Sequence, residues 1–145
     1  MSKELVLAKL EELGFVWEAA GEFGYFFDFE DLHVLYMPDD DVNFIRFAAP
    51  NIYDVTEENK ALVLELVNKT NMSIKYSKTC VWDEDVWVFY ECKIYDENNL
   101  GDIIEHALLL LQATFCLFHR KLEGDDSLPN EDDETNNNEM KENTV

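Results

Sequence analysis

A long apolar segment near the carboxyl end constrains the fold of this chain more than any other feature. Within residues 107–118 only Gln112 and Thr114 are polar, and the large side chains recur at the three- and four-residue spacing of an α-helix. The segment predicts a helix that begins after Asn98 or Asn99. The large side chains of one stripe of this helix are Ile104, Leu108, Leu111, Phe115, Phe118 and Leu122.

The same helix has a second apolar side. A helix that packs on a sheet needs only one apolar stripe, so the second side requires another cover. We expect a partner protein or a second copy of the chain to supply it, and predict that Leu110→Asp or Leu117→Asp dissociates the dimer without unfolding it. The predicted contact residues are Leu109, Leu110, Ala113, Cys116 and Leu117.

The rest of the chain alternates between helix-like and strand-like patterns. Its strands are separated by short turns such as residues 38–41, which favours antiparallel pairing. The sequence predicts an α+β fold in the order α-βββ-α-ββ-α, with an antiparallel sheet packed against helices. The first predicted elements are a helix from Ser2 to Leu13 that stops at Gly14, a short strand within 15–19, and strands over 23–30, 32–37 and 42–48, the third of which is closed by Pro50. They are followed by a helix that begins after Asp54 or Thr56 and ends at 68–71, a hairpin over 72–80 and 86–94, and the final helix to Leu122.

The composition changes at Glu123. From this residue to the end the chain is rich in Asp, Glu and Asn and has few apolar side chains. A segment of this kind buries too little surface to offset its ordering entropy. We therefore predict one domain over residues 1–122 and a disordered acidic tail over residues 123–145. A regulatory role of the tail is the alternative to a merely solvating one.

The charge of the chain excludes some classes of partner. Its formal net charge is -21, from 32 acidic and 11 basic side chains, which repels nucleic acids and anionic membrane surfaces.

The longest apolar run falls short of the roughly 20 residues of a membrane span. Residues 1–13 are too charged for a secretory leader. Cys80, Cys92 and Cys116 lack a Cys-x-x-Cys spacing, and their apolar or strand-forming neighbours predict that they are buried free thiols. We expect a cytoplasmic protein that binds neither nucleic acid nor membrane.

No motif typical of a catalytic or metal site occurs in the sequence. His106 and His119 are too far apart for a His-x-x-x-His pair, and no His-Glu-x-x-His motif is present. The acidic clusters at 39–41 and 83–85 lack the glycine and terminal glutamate of a calcium loop. The sequence therefore predicts a protein that is not an enzyme, with no catalytic residue, no metal and no cofactor.

The strands are rich in aromatic side chains, which allow two interpretations. Aromatic residues favour strands and fill cores, so a ring-rich core is the first interpretation. A groove for a small ligand is the second, and it makes a small-ligand sensor the alternative function. The residues of such a groove would be Tyr25, Phe27, Phe29, Tyr36, Phe44, Phe47, Trp82 and Trp87.

Several short motifs, in their order and spacing, are similar to the YbjN family, also described as bacterial sensory-transduction-regulator-like. The similarity extends over about residues 1–122. The motifs are Glu12-Leu13-Gly14-Phe15, the segment from Phe26 to Phe29 followed by Leu32-His33-Val34-Leu35, Asp40-Asp41-Val42-Asn43-Phe44-Ile45-Arg46 followed by Pro50, Leu66-Val67-Asn68-Lys69-Thr70-Asn71 followed by Lys75 and Lys78, and Val86-Trp87-Val88-Phe89-Tyr90-Glu91.

This resemblance implies the type III secretion chaperone-like fold and a non-enzymatic domain that is often dimeric. Secretion chaperones of this fold wrap an extended client segment across helix and sheet surfaces, so the resemblance implies a protein client whose identity is unknown. It transfers no catalytic residue. The leading hypothesis is therefore a chaperone-like or regulatory protein-binding module that acts as a homodimer, with the last helix and an exposed sheet face as its contact surfaces.

The Asn-x-x-Asn motif within the resemblance also has two interpretations. The side-chain amides of Asn68 and Asn71 are suited to end a helix by satisfying exposed backbone groups. The alternative is a polar recognition patch formed by Asn68, Asn71 and Lys75.

Overall fold

The computed structural model describes residues 2–124, which form three helices and six strands. The predicted α+β class and element order are confirmed, and the short strand expected within residues 15–19 is present. Short 3₁₀ turns at Gly21–Phe23 and Glu97–Asn99 precede β2 and α3. The elements are α1 (Lys3–Glu12), β1 (Glu18–Ala19), β2 (Tyr25–Phe29), β3 (Leu32–Tyr36), β4 (Phe44–Asp54), α2 (Lys60–Ser73), β5 (Ser77–Trp82), β6 (Asp85–Lys93) and α3 (Leu100–Leu122). The predicted tail lies outside the described residues from position 125 onward.

All six strands belong to one antiparallel sheet in the order β1-β2-β3-β4-β6-β5. Strands β2, β3 and β4 form the predicted meander, and β5 and β6 form the predicted hairpin. The hairpin joins the meander through β6, which pairs with β4 along most of its length. The chain thus has a single sheet in which β4 and β6 lie next to each other and β5 forms one edge.

Within the described residues, all three helices pack on the same face of the sheet. Alternate residues of β6, such as Val88 and Tyr90, point into a buried cluster with Val6 and Leu10 of α1. The α3 stripe enters the same core. The buried members of that stripe are Ile104, Leu108, Leu111 and Phe118. The predicted periodicities of β6 and α3 are therefore confirmed.

The first helix ends as the sequence predicts. Gly14 has a φ of +97°, its N–H donates to the carbonyl of Glu11 at 3.0 Å, and the N–H of Phe15 donates to the carbonyl of Leu10 at 2.9 Å. These two bonds are those of a Schellman motif, which satisfies the last carbonyls of a helix and favours glycine at the left-handed position. At the other end, the Oγ of Ser2 accepts from the N–H of Leu5.

The predicted bounds of β4 and α2 are wrong. Strand β4 does not end before Pro50 but continues to Asp54. Its register with β6 shifts between Ala49 and Tyr53. A strand can contain proline at such an irregular point, because the missing N–H is not needed there for a ladder hydrogen bond. Helix α2 begins at Lys60, later than predicted, and continues to Ser73. Strand β5 is correspondingly shorter than predicted.

Helix α3 with its preceding turn, Glu97–Leu122, is long and apolar enough to cross a membrane by length and composition alone. The core helix of a soluble protein has the same properties. Nine of the 23 side chains of α3 are buried within the fold.

Candidate protein-binding surface

The helices of residues 2–124 all pack on one face of the sheet, and we call the opposite face the open face. Side chains alternate between the two faces of a strand, so the pairing register assigns each residue to one face. The open-face residues that carry the argument below are Phe26, Leu35, Phe44, Arg46, Ala48, Lys78, Cys80, Trp82, Trp87, Phe89 and Glu91.

An apolar row crosses the four inner strands of the sheet on the open face. Paired positions place Phe26, Leu35, Ala48 and Phe89 next to one another on four successive strands. Leu35 and Ala48 are buried, although neither belongs to the core clusters on the helical side. The open face therefore has an apolar centre of its own.

Aromatic rings extend this centre toward the β5–β6 hairpin. The ring centroids of Trp82 and Trp87 are 4.5 Å apart, and Trp87 stacks on Phe89 at 5.7 Å. Trp82 keeps 38% of its surface exposed, and Phe44, near the opposite end of the face, keeps 42%. Exposed rings next to a buried apolar row are typical of a surface that another protein covers.

A charged network lies beside the rings. The carboxylate of Glu91 accepts from the Nε of Arg46 at 2.6 Å and from the Nζ of Lys78 at 2.9 Å, and Arg46 also pairs with Asp39 at 3.0 Å. Partial burial alone would raise the pKa of Glu91, but the hydrogen bonds and charges of Lys78 and Arg46 outweigh it and hold this pKa below its usual value. Glu91 is thus ionised at neutral pH.

A shallow depression of about 290 Å³ lies between the network and the rings, next to Cys80. Burial raises the pKa of the Cys80 thiol, and the nearby charge of Lys78 only partly opposes this. A thiol with a raised pKa is a weak nucleophile at neutral pH. The Cys80 side chain therefore acts here as a small apolar group.

The structure brings only part of the predicted α3 surface to the outside. Leu109 is 56% exposed, while Ala113 and Leu110 are half-buried. Cys116 is also exposed, so the prediction that its thiol is buried is wrong. Leu117 is completely buried, so its predicted contact with a partner is wrong. Both α1 and α2 contact α3, and the chain itself therefore covers much of the side that the sequence assigns to a partner.

The residues of the predicted aromatic groove lie on two different faces. Phe27, Tyr36 and Phe47 are buried in the helical-side core, where burial, more than the nearby Tyr25 and Glu4, raises the pKa of Tyr36 to about 12. Tyr25 and Phe29 pack against the same core, and Phe44, Trp82 and Trp87 lie on the open face. A single groove lined by all eight residues is therefore wrong.

The predicted polar patch is also divided. Asn71 uses its side chain within the fold: its Oδ1 accepts from the N–H of Thr79 at 2.7 Å and its Nδ2 donates to the carbonyl of Thr79 at 3.0 Å. Asn68 and Lys75 remain exposed. Because α2 continues past Asn71, this residue does not end the helix but fixes the edge strand β5.

The histidines contact other parts of the fold. The Nδ1 of His106 lies 2.9 Å from the hydroxyl of Tyr90, and the Nε2 of His119 lies 3.1 Å from the carbonyl of Ile52. His33 pairs with Asp28 at 2.6 Å. In the part of the chain that the structure describes, no three His, Cys, Asp or Glu side chains are grouped as metal ligands.

Reading the strands one by one does not reveal the Arg46–Glu91–Lys78 network, because it joins three strands. One signal for the open face is present in the sequence. Strand β6 has large apolar side chains at both parities, with Val86 and Val88 on one and Trp87 and Phe89 on the other. A strand of this kind needs a cover on both faces.

No family model and no curated protein matches the sequence. Among solved structures, the chain is similar to the crystal structure of YbjN from E. coli, a proposed transcription regulator. The TM-score is 0.65 with 11% sequence identity, over 86% of this chain and 94% of that chain. At this identity the likeness shows a common fold and no more. The fold is YbjN-like.

Proposed function

We propose that this chain is a non-enzymatic, chaperone-like or regulatory module of the cytoplasm that binds other proteins through the open face, and that it is a member of the YbjN family. The observation that carries the proposal is a sheet with helices on one face and an apolar, ring-rich opposite face. Burial of apolar surface contributes about 25 cal/mol per Å², so covering this face is favourable. The YbjN-like fold and the motifs in residues 1–122 support the family assignment.

A regulatory role would act through proteins and not through DNA. The net charge of -21 opposes contact with phosphates. The exposed rings and Arg46 are of the residue types that are enriched in protein–protein interfaces.

Affinity capture with quantitative mass spectrometry tests this proposal. We expect wild-type chain and Leu62→Gln, which changes a half-exposed leucine on the helical side, to retain the same partner. Trp82→Gln is expected to lose it, because this ring lies on the open face. Equal capture by all three chains would contradict the proposal, provided that circular dichroism shows both variants to be folded.

The depression near Cys80 favours a small-ligand sensor as the second candidate function. Its volume of about 290 Å³ and its mixed lining of rings and charges are suited to a small metabolite. A ligand at 100 times its dissociation constant would stabilise the chain by about 2.7 kcal/mol. A thermal-shift panel of metabolites without any such change would remove this candidate.

A further inference from the structure

We infer that the depression beside Cys80 binds a free aromatic amino acid as a zwitterion, with the ring of the ligand on the rings of the protein and its two charges on the neighbouring charged network. This inference rests on the second candidate function, because it names the class of ligand for the same depression. The volume of about 290 Å³ is at the lower end of the range of small-molecule sites, which favours a small metabolite.

The lining of the depression changes from charged to apolar along the sheet. Arg46, Lys78 and Glu91 come together at one end. Trp82 and Phe89 lie at the other end with ring centroids 6.1 Å apart, and Trp82 is 38% exposed. A ligand that fills the depression therefore meets ions at one end and aromatic rings at the other.

The separation of the two ends follows from the strand geometry. Glu91 and Phe89 are alternate residues of β6, so they lie on the same face about 7 Å apart. In an aromatic amino acid two carbons join the charged groups to the ring, which places them on the order of 5 Å apart. The remaining gap is within the reach of the Lys78 side chain, which is 60% exposed. One amino acid therefore spans both ends.

The charges of the polar end favour a ligand without net charge. Arg46 and Lys78 contribute two positive charges, and Glu91 and Asp39 contribute two negative charges. The network is thus balanced, and a ligand with a net charge of either sign would leave it unbalanced. A free amino acid at neutral pH has one carboxylate and one ammonium group and no net charge.

The network keeps hydrogen-bonding capacity for both groups of the ligand. The ammonium of Lys78 has three N–H donors, and among the described residues its one ion pair is with Glu91. The Oε2 of Glu91 accepts from Arg46 and its Oε1 accepts from Lys78, while each carboxylate oxygen has two lone pairs. The remaining donors of Lys78 are suited to the ligand carboxylate, and the remaining lone pairs of Glu91 are suited to the ligand ammonium.

Two-dimensional ¹H–¹⁵N NMR of the full chain tests the inference, because each indole N–H gives its own signal. The chain has three tryptophans, and Trp17 packs against the helical-side core, so its signal is an internal control. We expect L-phenylalanine to shift the Trp82 signal with a dissociation constant at or below about 1 mM and to leave the Trp17 signal in place. Substitution of each tryptophan by phenylalanine assigns the signals.

Derivatives of the ligand test its two charges separately. L-Phenylalaninamide lacks the carboxylate, and N-acetyl-L-phenylalanine lacks the ammonium. Each is expected to bind at least about tenfold more weakly, because one sign of the network then loses a charge-assisted hydrogen bond. L-Alanine keeps both charges but lacks the ring, and it is expected to leave the Trp82 signal in place.

A pair of variants tests the role of Lys78. Lys78→Met is expected to weaken the binding of L-phenylalanine about tenfold. It is not expected to weaken the binding of L-phenylalaninamide, which has no carboxylate for this lysine to meet. Lys75→Met changes an exposed lysine that does not line the depression and is the matched control.

Three results would overturn the inference. The first is a Trp82 signal that does not move up to about 10 mM L-phenylalanine, a concentration that would reveal even millimolar affinity. The second is equal binding of L-phenylalanine and its two derivatives, which would show that the rings alone hold the ligand. The third is the same affinity for L-phenylalanine in Lys78→Met and Lys75→Met.

Failure of the inference is separable from failure of the functions proposed above. A different metabolite that stabilises the chain in the thermal-shift panel would retain the sensor function after L-phenylalanine fails to bind. Capture of a partner by the wild-type chain tests protein binding in the absence of any amino acid.

Discussion

The side chain of Asn71 satisfies both backbone groups of Thr79 on the outer side of β5. Because β5 is an edge strand, its outward N–H and C=O groups are otherwise available to pair with another chain. The amide of Asn71 occupies one such pair in the way that a neighbouring strand would. This residue therefore stabilises the fold and also blocks the sheet edge.

Asn71→Ala is expected to lower the free energy of unfolding by about 1–3 kcal/mol, because it leaves part-buried backbone groups without partners. Urea denaturation measures the change. Asn68→Ala is the matched control, since the amide of Asn68 lies on the exposed side of the same helix and donates to the Sδ of Met72 at 3.9 Å. Equal effects of the two substitutions would show that the contact with Thr79 contributes nothing.

Leu117 and Leu109 are chemically identical residues on one helix with opposite environments. Leu117→Ala is expected to cost about 2–5 kcal/mol of stability, because it leaves a cavity in a close-packed interior. Leu109→Ala changes a side chain that is 56% exposed and is expected to cost less than about 1 kcal/mol. Chemical denaturation of the two variants compares them directly. A small effect at Leu117 would place this residue on the surface after all.

At the scale of elements, Glu91 on β6 connects three strands, because its carboxylate contacts Arg46 on β4 and Lys78 on β5. Its folded pKa lies below its usual value. A carboxylate with a lowered folded pKa stabilises the fold fully above its unfolded pKa, which is about 4.3 for glutamate. This contribution is lost as the pH falls through the lower, folded pKa.

The melting temperature of Glu91→Gln is therefore expected to lie below that of the wild type at pH 7, and the two are expected to converge below about pH 4. Calorimetry across this range measures the difference. Glu105→Gln, which removes an exposed carboxylate on α3, controls for the loss of one negative charge. A gap between wild type and Glu91→Gln that stays constant down to low pH would contradict the role of the ionised network.

At the scale of the whole molecule, a net charge of -21 on 145 residues opposes compaction, since like charges lie closer in the folded state than in the unfolded chain. Added salt screens this repulsion over a distance of about 10 Å at 0.1 M. We expect the melting temperature to rise when NaCl is raised from about 20 to 300 mM. A melting temperature that falls instead would show that the ion pairs of the open face outweigh the repulsion. Measurement at a fixed, low protein concentration separates this effect from dimerisation.

The element types and their order could be predicted from the sequence because they depend on neighbours along the chain. The apolar stripe of α3, the alternation in β6 and the glycine after α1 are each local patterns with one favourable geometry. The bounds of β4 and α2 were predicted less well. In β4, pairing with β6 extends the strand past Pro50, a residue that by itself favours a strand end.

The sequence by itself thus determined an α+β chain with an antiparallel sheet and a final helix that has more apolar surface than one stripe. Only the tertiary structure decided that β6 pairs with β4, that α1 and α2 flank α3 and that Leu117 is buried. It also decided that Phe44 and Trp82 on the far side of the sheet, and Leu109 on the back of the helix, keep exposed apolar surface. The reason is that these outcomes depend on contacts between segments far apart in the chain, and the spacing of residues within a segment does not encode which distant segment will cover it.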